Sequence, residues 1–253
     1  QSIKKTFMPV DLSQILVIGV SSRALFNVEN ENSIYNEQGL IEFRKYQYEH
    51  ENELLKPGTA FYLVKSLLEL NKQASKPIVE VVVMSRNSPE TGVRVMNSIR
   101  AHGLDISRLA FTGGESLYGY IAGYDVDLFL SMDPEDVQKV IDSGSCAAAL
   151  IYAPPSEFNS ETSRVKIAFD ADAVLFSDDS EFRYKTEGLD AFQKHEKENE
   201  KNAMKEGPFA KLLIKLSTIQ EHLPMGVEMS PLRLAIKTPI GRCSCIVESL
   251  MSN

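Results

Sequence analysis

Two carboxylates one residue apart close the apolar run in KIAFDADAVLF: Asp170 and Asp172, with Ala171 between them. Side chains on a strand alternate, so residues two apart start on the same side, and a chain that turns there aims both carboxylates into one crevice. Like charges that close repel, and both stay ionised at neutral pH only beside a cation. Hard oxygen donors in small number suit Mg²⁺, which keeps several waters and accepts a substrate phosphate as a further ligand. With a phosphate ester there, one carboxylate can attack phosphorus to form an aspartyl-phosphate. The other can protonate the leaving alcohol and then activate water. An Asp-x-Asp pair alone is a weak signal, common on surfaces, caps and turns, and Asp125 and Asp127 in YDVDLF read as that kind. What lifts Asp170 and Asp172 is their place where a strand runs out, the end at which open α/β sheets bind ligands.

The elements that would position this pair occur twice. SSRALFNVENE answers DADAVLFSDDSE, EQGLIEFRKYQYEHENE answers TEGLDAFQKHEKENE, and KPGTAFYLVKSLLEL answers KEGPFAKLLIKLSTI, in the same order and at separations of about 150 residues. Collinear matches of this kind point to a duplication. Each half reads as an α/β unit, strand then helix then strand. In the first half Ile15–Val20 and Ile78–Met84 are buried strands, Phe61, Val64 and Leu68 mark a helix face between them, and Val95, Met96 and Ile99 mark another. RLAFT, VDLFL and AAALIY continue as strands. In the second half VKIAF and Leu232–Ile236 are the strands, and Phe209, Leu212, Leu213 and Leu216 form the helix face. The expected architecture is therefore a Rossmann-like α/β fold of two duplicated halves.

A Pro-, Ser- and acid-rich stretch, Ala153 to Ser163, separates them, which puts the halves at residues 1–155 and 156–253. Ser21 and Arg23 stand where the second half has Asp170 and Asp172, so the first half is not expected to run the carboxylate chemistry. Ser85 falls opposite Thr238; about 65 residues of the first copy follow Ser85, and fifteen follow Thr238. The second half is accordingly expected to be incomplete, ending in unrelated sequence.

The composition, 43% hydrophobic and 25% charged with a net charge of −8, is that of a globular protein and disfavours a nucleic acid polymer or a polybasic membrane anchor as partner. There is no run of 18 apolar residues for a membrane span and no apolar leader near the start, which makes a cytoplasmic address the default expectation. The three cysteines form neither a disulfide framework nor a zinc pattern. FTGGES could cradle a phosphate through its main chain, although such a Gly pair more often only turns the chain. Asp133 followed by Pro134 is a helix start signal. His50 and His195 sit among acids and read as surface residues.

VSSRALF, EHENE, PGTAF, FTGGES and FDADAVLFSDDSE together resemble the type I cytosolic 5'-nucleotidases, a branch of the haloacid-dehalogenase-like phosphatases, over roughly residues 12 to 236. The resemblance implies an HAD-like fold and a Mg²⁺-dependent hydrolase of nucleoside 5'-monophosphates, AMP being the usual substrate. It makes Asp170 the nucleophile and a metal ligand, and Asp172 the general acid/base and a metal ligand through its main-chain carbonyl. Ala171 would hold phosphate through its N–H. It also implies a cap-like insert over residues 186–221. Thr238 would be the phosphate-binding residue after the second strand, but here the family's Val-Thr-Ala-Arg reads KTPIG. The family's phosphate-neutralising Lys and distal acidic pair would lie beyond residue 253, so reduced activity is expected of a chain that stops there. The competing expectation is an inactive nucleotide-binding or regulatory protein; a homo-oligomer is compatible with either.

Overall fold

The computed structural model describes residues 12–152, 164–170, 209–223 and 230–237, with Ser13, Asp170, Ile236 and Lys237 described by their backbone. In chain order the first half contains β1 (Leu16–Ser21), α1 (Ser22–Leu25), β2 (Phe26–Asn27), α2 (Glu29–Glu49), β3 (Lys56–Pro57), α3 (Phe61–Glu69) and β4 (Val79–Ser85). It continues with α4 (Val93–Ala101), β5 (Arg108–Phe111), α5 (Tyr118–Ile121), β6 (Leu128–Ser131), α6 (Pro134–Ser143) and β7 (Ala147–Leu150). Five of these strands form one parallel sheet in the order β5-β4-β1-β6-β7. The α/β expectation holds, and the strands expected around RLAFT, VDLFL and AAALIY are β5, β6 and β7.

The central strand β1 is buried along its whole length, because helices cover both faces of the sheet. Its alternation divides the core: Leu16, Ile18 and Val20 pack in one apolar cluster with Phe26, Phe61 and Val64, while Val17 joins Met84, Ile121 and Phe129 in a second on the other face. A continuous apolar run is what a strand covered on two sides requires. Both long strands end one residue later than their apolar runs, so β1 closes on Ser21 and β4 on Ser85.

The helix start read at Asp133 is present. Its carboxylate accepts hydrogen bonds from the Glu135 and Asp136 N–H groups at 2.9 and 3.2 Å, Pro134 occupies the first turn, and Gly144 at φ 62° ends α6. The long helix α2 was not separately legible in the sequence. It breaks at Gly39 (φ 83°), a conformation open to glycine, and its two segments carry Tyr35 and Phe43 with their rings edge-on at 5.7 Å.

In the second half β8 (Val165–Asp170) pairs in parallel with β9 (Leu232–Lys237), and α7 (Ala210–Glu221) buries Leu212, Leu213, Leu216 and Ile219. Of the helical insert expected over 186–221, residues 210–221 are helix, Phe209 is a turn before it, and residues 186–208 lie outside the described residues, as does the stretch 153–163. Val165, Phe169, Leu216 and Leu232 belong to the same apolar cluster as Leu16 and Phe61. The Lys215 ammonium, near the middle of α7, donates to the Asp127 carboxylate at 2.6 Å and to the Leu12 carbonyl at 3.3 Å. Asp127 also accepts from the Val17 N–H at 2.8 Å. Asp127 is therefore a part-buried pin between α7 and the start of β1 rather than a surface carboxylate. Asp125, at φ 53°, is the turn residue the sequence suggested.

Candidate functional site

The strand pairs β1–β4 and β8–β9 share one plan. Ser21 is in register with Met84 and Ser85 follows; Asp170 is in register with Lys237 and residue 238 follows. The duplication inferred from sequence thus has a geometric counterpart at the carboxyl ends of the strands. Asp170 closes β8 where an α/β sheet presents ligand-binding groups. Ala171, Asp172 and Thr238 lie outside the described residues. So does His195.

The corresponding end of the first half is described in full. The adjacent strands β4, β1 and β6 each end in serine, and all three are buried. Ser21 Oγ accepts from the Ala24 N–H at 3.2 Å, Ser85 Oγ from the Asn87 N–H at 3.2 Å, and Ser131 Oγ from the Asp133 N–H at 3.1 Å. The next residue, Ser22, shares a 2.9 Å hydroxyl–hydroxyl bond with Ser85. These groups line a cavity of about 440 Å³ whose outer wall is α2. Arg86 reaches into an ion pair with Asp136. Burial pushes the Asp136 carboxyl above its usual range even though the guanidinium pulls the other way.

One buried ion pair holds the wall in place. Arg94 on α4 bonds Glu31 on α2, both side chains 7% exposed, and its Nε donates to the Glu53 carbonyl at 2.8 Å. The same helix supplies Ser98 Oγ to the Leu55 N–H at 2.9 Å and Asn97 Nδ2 to the Glu51 carbonyl at 3.0 Å. The segment EHENE, which carries part of the sequence likeness, is thus tied through its backbone to α4.

The Gly113–Gly114 pair turns the chain. Their N–H groups donate to the Asn87 and Arg86 carbonyls at 3.0 and 2.7 Å, at φ 65° and 104°, which leaves neither to cradle an anion. His50 stacks on Tyr46 at 3.9 Å with Nδ1 bonded to the Tyr46 carbonyl at 2.8 Å. Cys146 is a free thiol whose pKa burial pushes up to about 12, with the Asp127 carboxylate adding to the rise. A larger, more open hollow of about 710 Å³ lies at the opposite ends of the strands, beside Ile15, Asn71 and Arg108. Two of its polar residues are engaged internally: Asn71 with Val79 and Ile78, Arg108 with Glu80 and Tyr124. The serine hydroxyls and Arg86 were the residues sequence reasoning missed. Their signal was the duplication itself, which sets Ser21 and Ser85 opposite residues 170 and 238.

Comparison with known proteins agrees with the strings quoted above. A family model described as 5'-nucleotidase matches residues 8–244. Human cytosolic 5'-nucleotidase 1B is 35% identical over 212 residues, which are 81% of this chain and 35% of that protein. The chain thus spans about a third of the length of that curated relative. Among solved structures, the HAD domain of the Legionella pneumophila effector Lem4 is similar at 14% identity and a TM-score of 0.36, covering 58% of this chain and 90% of its own. With the family model matched across both strand pairs and a relative this similar over most of the sequence, the chain belongs to the 5'-nucleotidase family.

Proposed function

We propose that this protein is a Mg²⁺-dependent 5'-nucleotidase acting in the cytoplasm on nucleoside 5'-monophosphates, AMP foremost, with its chemistry in the second half. The observation that carries the reading is the position of Asp170 at the carboxyl end of β8, in register with Lys237 of a parallel neighbour. That position supports residue 170 as the family's nucleophile, and residue 238 follows Lys237 in the chain. The donor chemistry suits the metal: Asp170 and Asp172 offer hard oxygens and few of them. Bound Mg²⁺ would neutralise phosphate charge and polarise the ester.

In this reading the Asp170 carboxylate attacks phosphorus, forming the acyl phosphate as the ester P–O bond breaks. Asp172 gives its proton to the departing nucleoside oxygen, then takes one from water, which attacks the acyl phosphate and releases inorganic phosphate with Asp170 restored. Ala171 N–H and the Thr238 hydroxyl orient the phosphoryl oxygens.

The test is phosphate release from AMP by the whole chain, with Mg²⁺ and with EDTA, together with borohydride trapping of the acyl phosphate. The expected result is metal-dependent release and, after borohydride reduction of the acyl phosphate with loss of phosphate, homoserine at position 170. Absence of release from the unsubstituted chain, or undiminished release by Asp170→Asn, overturns the proposal.

A further inference from the structure

We propose that the cavity at the carboxyl ends of β4, β1 and β6 binds a small organic phosphate monoester and holds it without hydrolysis. The first ground is the donor count. Ser21, Ser85 and Ser131 each use a lone pair to accept a backbone N–H, which leaves each O–H proton to be directed elsewhere. The Ser22–Ser85 bond consumes one hydroxyl proton of those two side chains. Three strand ends therefore converge with hydroxyl donors to spare, on the floor of a half-open pocket.

The second ground is a pair of vacant polar atoms. Arg86 Nε and Gln47 Oε1 are buried and, among the described residues, have no hydrogen-bond partner. Both residues line the cavity. A buried donor or acceptor left unpaired costs about 1–3 kcal/mol, so a ligand that supplied the partner would recover that cost. Arg86 is suited to a phosphate oxygen; Gln47 Oε1, on the α2 side, is suited to a hydroxyl of the organic part. Gln47 itself is only 5% exposed.

The third ground is charge and shape. The acidic groups around the cavity are each spoken for: Glu31 by Arg94, Asp136 by Arg86, and Asp133 by the first N–H groups of α6. Arg44 at the rim has no ion-pair partner among the described residues. The opposite wall presents Tyr35, Leu40 and Phe43, an apolar and aromatic surface for a base or similar group. A polar floor, an uncompensated cation and an apolar wall match a phosphate monoester with a flat organic body. Hydrolysis is not expected, because neither position 21 nor 23 is a carboxylate that could attack phosphorus or hold a metal ion. This inference stands on the first half alone and does not rest on the chemistry proposed for Asp170.

The experiment is calorimetric titration of the full Asp170→Asn chain in EDTA, which separates this cavity from the proposed metal-dependent site. The ligands are AMP, ribose 5-phosphate, inorganic phosphate and adenosine. Hydrogen exchange is followed in α2 and in the loop after β4. The expected result is saturable binding in the order AMP, ribose 5-phosphate, phosphate, with adenosine weaker than AMP by about tenfold or more. AMP should slow exchange in both segments. Arg86→Gln should weaken AMP about tenfold or more, and Tyr35→Ala, on the exposed wall, about threefold. If Arg86→Gln does not fold, Tyr35→Ala and the exchange footprint decide the matter. No binding by any phosphate, adenosine binding as tightly as AMP, an exchange footprint elsewhere, or affinity unchanged in the variants overturns the proposal.

Discussion

β1–β4 and β8–β9 are strand pairs with the same direction and equivalent register, yet their ends differ in chemistry: Ser21 and Ser85 in one, Asp170 and residue 238 in the other. The scaffold that brings two strand ends together is indifferent to which polar group it presents. A carboxylate can attack phosphorus and hold a metal ion; a buried hydroxyl without a base beside it can only donate or accept a hydrogen bond. On the two readings proposed above, the exchange of a carboxylate for a hydroxyl at the strand end is what separates a reaction site from a binding site.

The sharpest way to break the comparison is to remove the carboxylate. Asp170→Asn should lower Mg²⁺-dependent phosphate release from AMP by on the order of a thousandfold or more, read in single-turnover assays. Release that survives the change would mean that the two strand ends do not differ as described. The next effect concerns stability. Arg94→Ala leaves Glu31 buried without its partner, and urea denaturation should show a loss of about 3–5 kcal/mol.

Gly58 tests how closely the first half is packed around its repeat. A Cβ there would lie 2.8 Å from the backbone of Ala24 and Phe26, so Gly58→Ala should cost about 1–3 kcal/mol by the same measurement. A smaller effect is expected where the halves meet. The Lys215–Asp127 pair is part-exposed, at 19% and 22%, and a double-mutant cycle should give a coupling of about 1 kcal/mol, weakened by salt. Smallest in consequence, the Cys146 thiol stays protonated until the pH approaches about 12. Peptide mapping after iodoacetamide at pH 8 should find it labelled on the order of a hundredfold more slowly than a free thiol, with the rate rising as the pH rises.

The apolar runs around Ile15–Val20 and Ile78–Met84 were readable as buried strands because hydrophobicity over six or seven residues, broken only by Gly19 and Glu80, leaves few other ways to hide a strand. Asp133–Pro134 was readable because a cap is a local event. Asp127 was not: its neighbours in sequence mark a turn, and its partners, Lys215 and the Val17 N–H, are 88 and 110 residues away. Gly113 and Gly114 read more readily as a turn than as a phosphate cradle, and the carbonyls of Arg86 and Asn87 decided for the turn.

By itself the sequence determined the fold class and the family, since periodicity and characteristic strings are properties of the chain order. Tertiary structure alone decided that three serines from residues 21, 85 and 131 end side by side, and that α2 walls them in. Convergence of that kind depends on the parallel stacking of distant strands, and no local pattern of residue types records it.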